Sequence, residues 1–147
     1  MKIEPAQTDD LDAIAALLVD ANLPSEDLSG AALAHFFVAR AENTPSVVAA
    51  AGLEAHAPSG LLRSVVVVST QRERGLGGSL VDAIEARARD LGIENLVLLT
   101  TTAKPFFARR GYTEIAREDA PTTLQATREF ATLCPASAVC MQKNLRT

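Results

Sequence analysis

Residues 61–92 carry the strongest structural signal in the chain, a strand-like run that passes through a short turn into an amphipathic helix. The run at 61–68 (Leu-Leu-Arg-Ser-Val-Val-Val-Val) is β-branched and apolar enough to lie in a sheet that is covered on both faces. After the turn, apolar residues recur every three or four positions from Leu76 to Leu91, and Gly92 is typical of a helix end. This succession predicts a strand–helix–strand crossover within a mixed α/β sheet.

The remaining segments supply further elements for the same sheet. Thr8 or Asp9 is expected to cap the first helix, and Pro121 to occupy the first position of the last one. A turn is expected at residues 58–60. The patterns predict strands near 2–5, 35–40, 46–54, 61–68, 93–99, 112–116 and 138–143, and helices near 11–18, 31–33, 76–91, 104–110 and 122–130. At 147 residues the chain is expected to form one domain, over residues 1–147.

Composition and charge exclude several classes of protein. Hydrophobic residues make up 48% and charged residues 22% of the chain, which is ordinary for a packed globule. No apolar run approaches the roughly 18 residues of a membrane span, and the N-terminus does not resemble a signal peptide. The net charge of -4, without a basic stripe, argues against nucleic acid as a partner. We therefore expect a soluble, cytoplasmic protein.

The two cysteines are too few for a disulfide framework, and in a cytoplasmic setting both are expected to be thiols. Cys134 and Cys140 are six positions apart, unlike the short spacings of zinc sites, and both histidines are distant in sequence. The sequence predicts no metal site and two small buried residues instead.

The turn after the 61–68 run has the features of a phosphate-binding site. A helix N-terminus presents unpaired N–H groups and a partial positive charge, and Gly75, Gly77 and Gly78 let the backbone approach a ligand. Arg72 and Arg74 add planar cationic donors. The alternative is a plain turn with solvated arginines, but the preceding strand and the amphipathic helix favour phosphate binding. The run has neither the Gly-Lys-Ser/Thr of a Walker loop nor the glycine order of a dinucleotide fingerprint.

Two segments resemble motifs of the GNAT-type N-acetyltransferases. Arg72-x-x-Gly75-x-Gly77 resembles the acyl-CoA pyrophosphate motif Q/R-x-x-G-x-G/A, and the segment at 106–112 (Phe-Phe-Ala-Arg-Arg-Gly-Tyr) resembles the later F-Y-x-x-x-G-F segment. The order of elements agrees from about residue 2 to residue 144. The resemblance implies an α/β fold (α+β by some schemes): a mixed, mostly antiparallel twisted sheet of six or seven strands, with helices on both faces and a splayed parallel pair that binds acetyl-CoA as co-substrate.

The resemblance also implies roles for particular residues. Valine backbone groups would pair with the pantetheine amides, and backbone N–H groups from Arg74 to Ser79 would hold the pyrophosphate. Phe107 occupies the position where family members often have a tyrosine that protonates the leaving thiolate, so water, oriented by Thr101 or Thr102, would have to serve. Tyr112 matches the trailing aromatic and is expected in the core. The implied cofactor-binding residues are Val66, Val67, Val68, Arg72, Arg74, Gly75, Leu76, Gly77, Gly78, Ser79 and Phe107.

Transfer to an amine requires a base, because most amines are charged at neutral pH. Glu54 is the candidate, and its alternative is an exposed carboxylate at a strand end. His56 is the second candidate, although a solvated loop histidine explains it better. A backbone N–H near Val66 or Val67 would stabilise the oxyanion.

The acceptor is predicted from a narrower resemblance. Leu61-Leu62-Arg63-Ser64, together with 133–141, resembles a bacterial arsenic-resistance subgroup, which is associated with acetylation of the α-amino group of glutamate-like organoarsenical or phosphinate antibiotics. Arg63 and Ser64 would bind the acidic group of such a substrate, whereas the alternative for Arg63 is an ion-paired strand arginine. Strand alternation places the two side chains on opposite faces unless a bulge intervenes.

The leading prediction is therefore an N-acetyltransferase for a small-molecule primary amine. Two alternatives stay open: a peptide or protein N-acetyltransferase, and a non-catalytic acyl-CoA-binding module. The oligomeric state is also open, a homodimer included.

Overall fold

A seven-stranded sheet forms the centre of the protein. The computed structural model describes residues 2–41, 45–71, 75–128, 130–131 and 137–145. The strands are β1 (Lys2–Pro5), β2 (Phe36–Arg40), β3 (Val47–His56), β4 (Ser59–Val67), β5 (Asn95–Thr100), β6 (Thr113–Ile115) and β7 (Val139–Asn144). Their spatial order is β1-β2-β3-β4-β5-β7-β6, and each neighbouring pair is antiparallel except β4 and β5, which are parallel. The predicted mixed, mostly antiparallel sheet is confirmed.

Helices cover both faces of this sheet. They are α1 (Leu11–Asp20), α2 (Leu76–Asp90), α3 (Lys104–Arg109) and α4 (Thr122–Gln125), with single 3-10 turns at Thr8–Asp10, Ala31–His35, Ser69–Gln71 and Arg117–Asp119. Strand β3 shows how the faces divide, because its residues alternate between them. Ala49 and Ala51 pack with α2, whereas Ala50 packs with α1 through Ile14 and Leu18. Small side chains here let both helices approach the sheet closely.

The β3–β4 hairpin is longer than the sequence predicts. The turn lies at Ala57–Pro58, whose peptide bond is cis. The predicted turn at 58–60 is wrong at residues 59 and 60, which belong to β4. Ser59 already pairs with His56 as the first residue of β4, and its hydroxyl donates to Asn95 Oδ1 at 2.8 Å. This hydrogen bond joins the start of β4 to the start of β5.

Two predicted helix boundaries are also wrong. Neither Thr8 nor Asp9 caps α1, because a 3-10 turn precedes it and Asp10, which accepts from the Gln7 N–H at 2.8 Å, stands at the junction. The helix predicted near 122–130 is interrupted: α4 ends at Gln125, and helical backbone resumes at Arg128, with residues 130 and 131 in π-helical conformation. Pro121 lies just before α4 instead of at its first position. At the interruption, the Leu124 carbonyl accepts both from the Thr127 hydroxyl at 2.7 Å and from the Thr127 N–H at 3.1 Å.

Candidate functional site

The parallel strands β4 and β5 separate and open a cleft in the sheet. They form a ladder only at their first residues, the last pair being Leu61 with Val97. Beyond that pair, β4 continues against β3 and β5 continues against β7. Within the described residues the space between them is a cavity of about 860 Å³. The predicted splayed parallel pair is therefore present at the predicted strands.

Five parts of the chain line this cavity. One wall is the second half of β4, and the opposite wall is the end of β5 with the threonines that follow it. Thr101 and Thr102, predicted to orient a water, belong to that opposite wall. The lining residues are Ala21 to Pro24, Leu62 to Val67, Gln71, Gly75 to Gly78, Leu98 to Ala103, Phe106, Phe107, Arg109 and Ala138.

The N-terminus of α2 opens onto the cavity. Gly75 precedes the helix with φ = 75°, in the left-handed region that glycine adopts without strain, and as the N-cap residue it has no side chain to cap the helix. The positive end of a 15-residue helix lies beside the cavity. Gly75, Leu76, Gly77 and Gly78 line the main cavity, and Ser79 lines a smaller one next to it. Arg72 and Arg74, predicted to assist here, lie outside the described residues.

The three valines predicted to pair with a ligand backbone do not occupy equivalent positions. Val66 and Val67 line the cavity. Val68 follows the end of β4: its N–H donates to the Val48 carbonyl at 2.8 Å, and its own carbonyl accepts from Gln71 at 2.9 Å. The N–H of Val68 is therefore used within the sheet, and its pairing with a ligand stays a prediction.

Aromatic residues of α3 close the other side of the cavity. Phe107 is 5% exposed and makes edge-to-face contacts with Phe106, at 4.9 Å between ring centroids, and with Tyr112, at 5.7 Å. Tyr112 does not line the cavity and lies in the core as predicted, with its hydroxyl donating to Glu85 Oε2 at 3.0 Å. Burial, together with the Glu85 carboxylate, holds the pKa of Tyr112 well above its usual range.

A β-bulge in β4 brings the two predicted acceptor residues together. Ala50 pairs with Val66 but Gly52 pairs with Arg63, so Ser64 and Val65 lie opposite a single residue. Ser64 has φ = 60°, a conformation that costs a non-glycine residue about 1–2 kcal/mol. As a result Arg63 and Ser64 both line the cavity, and Arg63 Nε donates to Ser64 Oγ at 3.0 Å.

Arg63 is the centre of a charged network at this end of the cavity. Its side chain is only 2% exposed and forms a bidentate pair with Asp27, including Nη2 to Oδ1 at 2.7 Å. Nη1 also donates to Glu54 Oε2 at 3.1 Å. The hydrogen bonds from Arg63 hold the pKa of Asp27 below its usual value, against the opposing effect of burial. Arg63 is thus ion-paired, as its alternative interpretation predicted, and its role toward a substrate stays a prediction.

Glu54 borders the network and does not belong to the cavity lining. Its side chain is 31% exposed, and Oε1 lies 3.4 Å from His56 Nε2. The roles of Glu54 and His56 as bases stay predictions. The sequence interpretation missed Asp27, whose only signal is a carboxylate within the irregular 22–30 segment.

Other candidate groups lie away from the cavity. Cys140 is buried as predicted, and burial raises the pKa of its thiol to about 11. Cys134 lies outside the described residues. Among the residues that the structure describes, no group of three or more His, Cys, Asp or Glu side chains could hold a metal ion. None of the helices in those segments is long and apolar enough to cross a membrane.

The sequence profile described as Acetyltransferase (GNAT) domain matches residues 32–114, which is 83 of the 147 residues. The chain belongs to the GNAT acetyltransferase family. The matched segment includes β2 to α3 and therefore the whole β4–α2 junction and the splayed strand pair. The predicted membership of the GNAT family is confirmed.

Solved GNAT structures share this fold across nearly the whole chain. N-acetylglutamate synthase from Neisseria gonorrhoeae, complexed with coenzyme A and N-acetyl-glutamate, superposes with a TM-score of 0.83 at 21% identity and covers 99% of this chain. This chain spans about a third of that synthase, 35% of its length. Rv2747 from Mycobacterium tuberculosis, in complex with CoA and NLQ, gives a TM-score of 0.81 at 25% identity and covers 99% of this chain and 100% of its own.

A more distant structure agrees. PaiA N-acetyltransferase from Thermoplasma acidophilum, in complex with coenzyme A, gives a TM-score of 0.68 at 13% identity and covers 97% of this chain and 98% of its own. CoA is present in all three of these structures, which agrees with acetyl-CoA as the predicted co-substrate. The arsenic-resistance subgroup stays a prediction.

Proposed function

We propose that this protein transfers an acetyl group from acetyl-CoA to the primary amine of a small molecule. The observation that carries the proposal is the cleft between β4 and β5, which ends at the uncapped, glycine-rich N-terminus of α2. Backbone N–H groups from Gly75 to Ser79 would hold the pyrophosphate, and the pantetheine arm would run between Val66 and Phe107. In this arrangement the thioester would lie near the bulge at Ser64, at the end of the cavity where the charged network lies.

The reaction needs few groups from the protein. The amine nitrogen attacks the thioester carbonyl carbon, the oxyanion forms beside the β4 backbone, and the carbon–sulfur bond then breaks with its electron pair passing to sulfur. Glu54 would accept the proton that the amine loses, directly or through water. The CoA thiolate, whose thiol has a pKa near 8.5, is a tolerable leaving group that water can protonate, since Phe107 has no proton to give.

The charged network determines how an acidic acceptor would bind. Asp27 and Glu54 both accept hydrogen bonds from Arg63, and the charge of Arg128 also acts on Asp27. An acidic group on the acceptor would bind Arg63 by exchanging with Asp27, because the bidentate face of the guanidinium is already occupied.

We propose a glutamate-like amino acid, or an arsenical or phosphinate antibiotic of that shape, as the acceptor. Two solved relatives, the N-acetylglutamate synthase and the Mycobacterium tuberculosis protein, contain CoA together with a small second ligand. The buried Arg63, which can exchange partners, is the feature of this chain that suits an acidic acceptor.

The test is an assay of free thiol release from acetyl-CoA with a panel of amino acids, polyamines, glutamate-like antibiotics and peptides. We expect turnover with small amines and a preference for glutamate-like ones. Glu54→Gln should lower kcat, whereas Glu26→Gln, which changes an exposed carboxylate in the 22–30 segment, should not. Turnover confined to peptides, or CoA binding without turnover on any amine, would contradict the proposal.

A further inference from the structure

We propose that Ser64 is a catalytic residue, whose hydroxyl donates a hydrogen bond to the oxyanion that forms when the amine attacks the thioester. This role rests on the proposed function, because it needs the acetyl group to lie near the bulge in β4. The carbonyl oxygen gains an electron pair as the carbon–nitrogen bond forms, and the carbonyl re-forms as the carbon–sulfur bond breaks with its pair passing to sulfur. Ser64 keeps its proton throughout, and it adds a side-chain donor to the backbone N–H expected near Val66 or Val67.

Among the described residues that line the main cavity, Ser64 has the only buried hydroxyl. It is 7% exposed. The other hydroxyl groups of the lining belong to Thr100, Thr101 and Thr102, which are more exposed, and Thr100 Oγ1 already accepts from the Ala103 N–H at 2.9 Å. A hydrogen bond in a buried site is electrostatically stronger than the same bond in water. The Ser64 hydroxyl is therefore the side-chain donor of this cavity that can best stabilise a developing negative charge.

The backbone conformation of Ser64 directs this hydroxyl into the cavity. Its φ of 60° lies in the left-handed region. Residues other than glycine keep such a conformation only where the surrounding structure enforces it, and these positions concentrate at active sites. Without the bulge, strand alternation would place the Ser64 side chain on the opposite face of the sheet from Arg63. With the bulge, both side chains reach the same cavity, beyond Leu61, where the pairing of β4 with β5 ends.

Arg63 makes the Ser64 hydroxyl a better donor. Ser64 Oγ accepts from Arg63 Nε at 3.0 Å, and this is its only hydrogen bond within the described part of the chain. A serine hydroxyl carries one proton in addition to its acceptor positions, so the proton can be donated to a substrate. Because hydrogen bonds in a chain polarise one another, a hydroxyl that accepts from a cation donates more strongly. Asp27 and Glu54 orient the guanidinium, which fixes the position of Oγ before a substrate binds.

The test compares Ser64→Ala with the wild-type protein in the thiol-release assay, with glutamate as acceptor, or with the best acceptor of the panel if glutamate is not turned over. We expect kcat to fall about a hundredfold, the effect of losing one oxyanion donor, with the KM of both substrates unchanged. Calorimetry should give the same Kd for acetyl-CoA, because the hydroxyl stabilises the transition state and not the bound ground state.

The matched control is Ser59→Ala, which removes an equally buried serine hydroxyl from the same strand. Ser59 is 6% exposed, donates to Asn95 Oδ1 at 2.8 Å and does not line the cavity. Its loss should lower Tm and leave kcat unchanged, because a buried hydrogen bond is removed away from the reacting atoms. A fall in kcat as large as that of Ser64→Ala would overturn the inference, since general loosening of β4 would then explain both.

Ser64→Gly separates the hydroxyl from the backbone conformation. Glycine adopts a φ near 60° without strain, so this variant should have a higher Tm than Ser64→Ala and the same fall in kcat. Wild-type kcat in either variant would overturn the inference, because neither has the hydroxyl. A raised KM for the acceptor with unchanged kcat would also overturn it, and would make Ser64 an acceptor-binding residue instead. Absence of turnover by the wild-type protein on every amine would overturn the proposed function itself.

Discussion

Replacing Asp27 by Asn should cost the protein about 3 kcal/mol of unfolding free energy at pH 7. Removing one partner of a buried ion pair typically costs 3–5 kcal/mol, because the remaining charge stays buried. Arg63 is 2% exposed and would keep Glu54 at 3.1 Å, so we expect the low end of that range. For a chain of this length, about 3 kcal/mol lowers Tm by roughly 10 °C. Glu26→Gln, in the same segment but exposed, should change Tm by no more than about 2 °C.

The pH dependence of this effect has a definite sign. The pKa of Asp27 is lowered in the folded protein, so its stabilising contribution is complete above the unfolded value near 3.8 and is lost as pH falls through the folded pKa. Thermal unfolding followed by far-UV circular dichroism from pH 7 to pH 3 should therefore show a Tm gap between wild type and Asp27→Asn that is constant down to about pH 4 and then narrows. A gap below about 3 °C at pH 7, or one that widens with acidification, would refute the reasoning.

Three further outcomes follow from the same structure. Gly77→Asp should weaken CoA binding by about a hundredfold in calorimetry, because its carboxylate repels phosphate, while Tm stays unchanged or rises, because a carboxylate stabilises a helix N-terminus. The control is Gly77→Ala, whose Cβ would lie 3.4 Å from the Phe106 ring and which should change Kd little. Tyr112→Phe should cost about 1 kcal/mol of stability in a denaturant titration and leave kcat unchanged, and a large fall in kcat would show that Tyr112 takes part in proton transfer. Iodoacetamide at pH 8, followed by peptide mapping, should leave Cys140 unmodified in the folded protein, since burial raises the pKa of its thiol to about 11, and rapid native labelling would contradict its burial.

The parts of the fold that local patterns encode were predictable from the sequence. The apolar residues of α2 and the valines of β4 form recognisable patterns within continuous segments of the sequence. These patterns predict the crossover and the separated strands that form the cleft. The interruption of the predicted 122–130 helix after Gln125 was not predictable in this way. A threonine is acceptable within a helix, and only the folded structure shows the Thr127 hydroxyl and N–H both donating to the Leu124 carbonyl.

The acceptor end of the site depends on contacts that the sequence does not display. Ser64 is not a glycine, so nothing in the local sequence indicates that it adopts a left-handed conformation. The sequence alone therefore shows what a bulge in β4 would do to Arg63 and Ser64, but not that the bulge is there. Asp27 lies in an irregular segment and meets Arg63 across 36 positions of sequence.

The bulge has a consequence for how this protein can be altered. It shifts the register of β4 relative to β3 by one residue. The alternation of side chains between the two faces of the sheet therefore follows one pattern before Ser64 and the opposite pattern after Val65. A substitution at Arg63 therefore alters the charged network without changing the pairs that Val66 and Val67 form with Ala50 and Ala49.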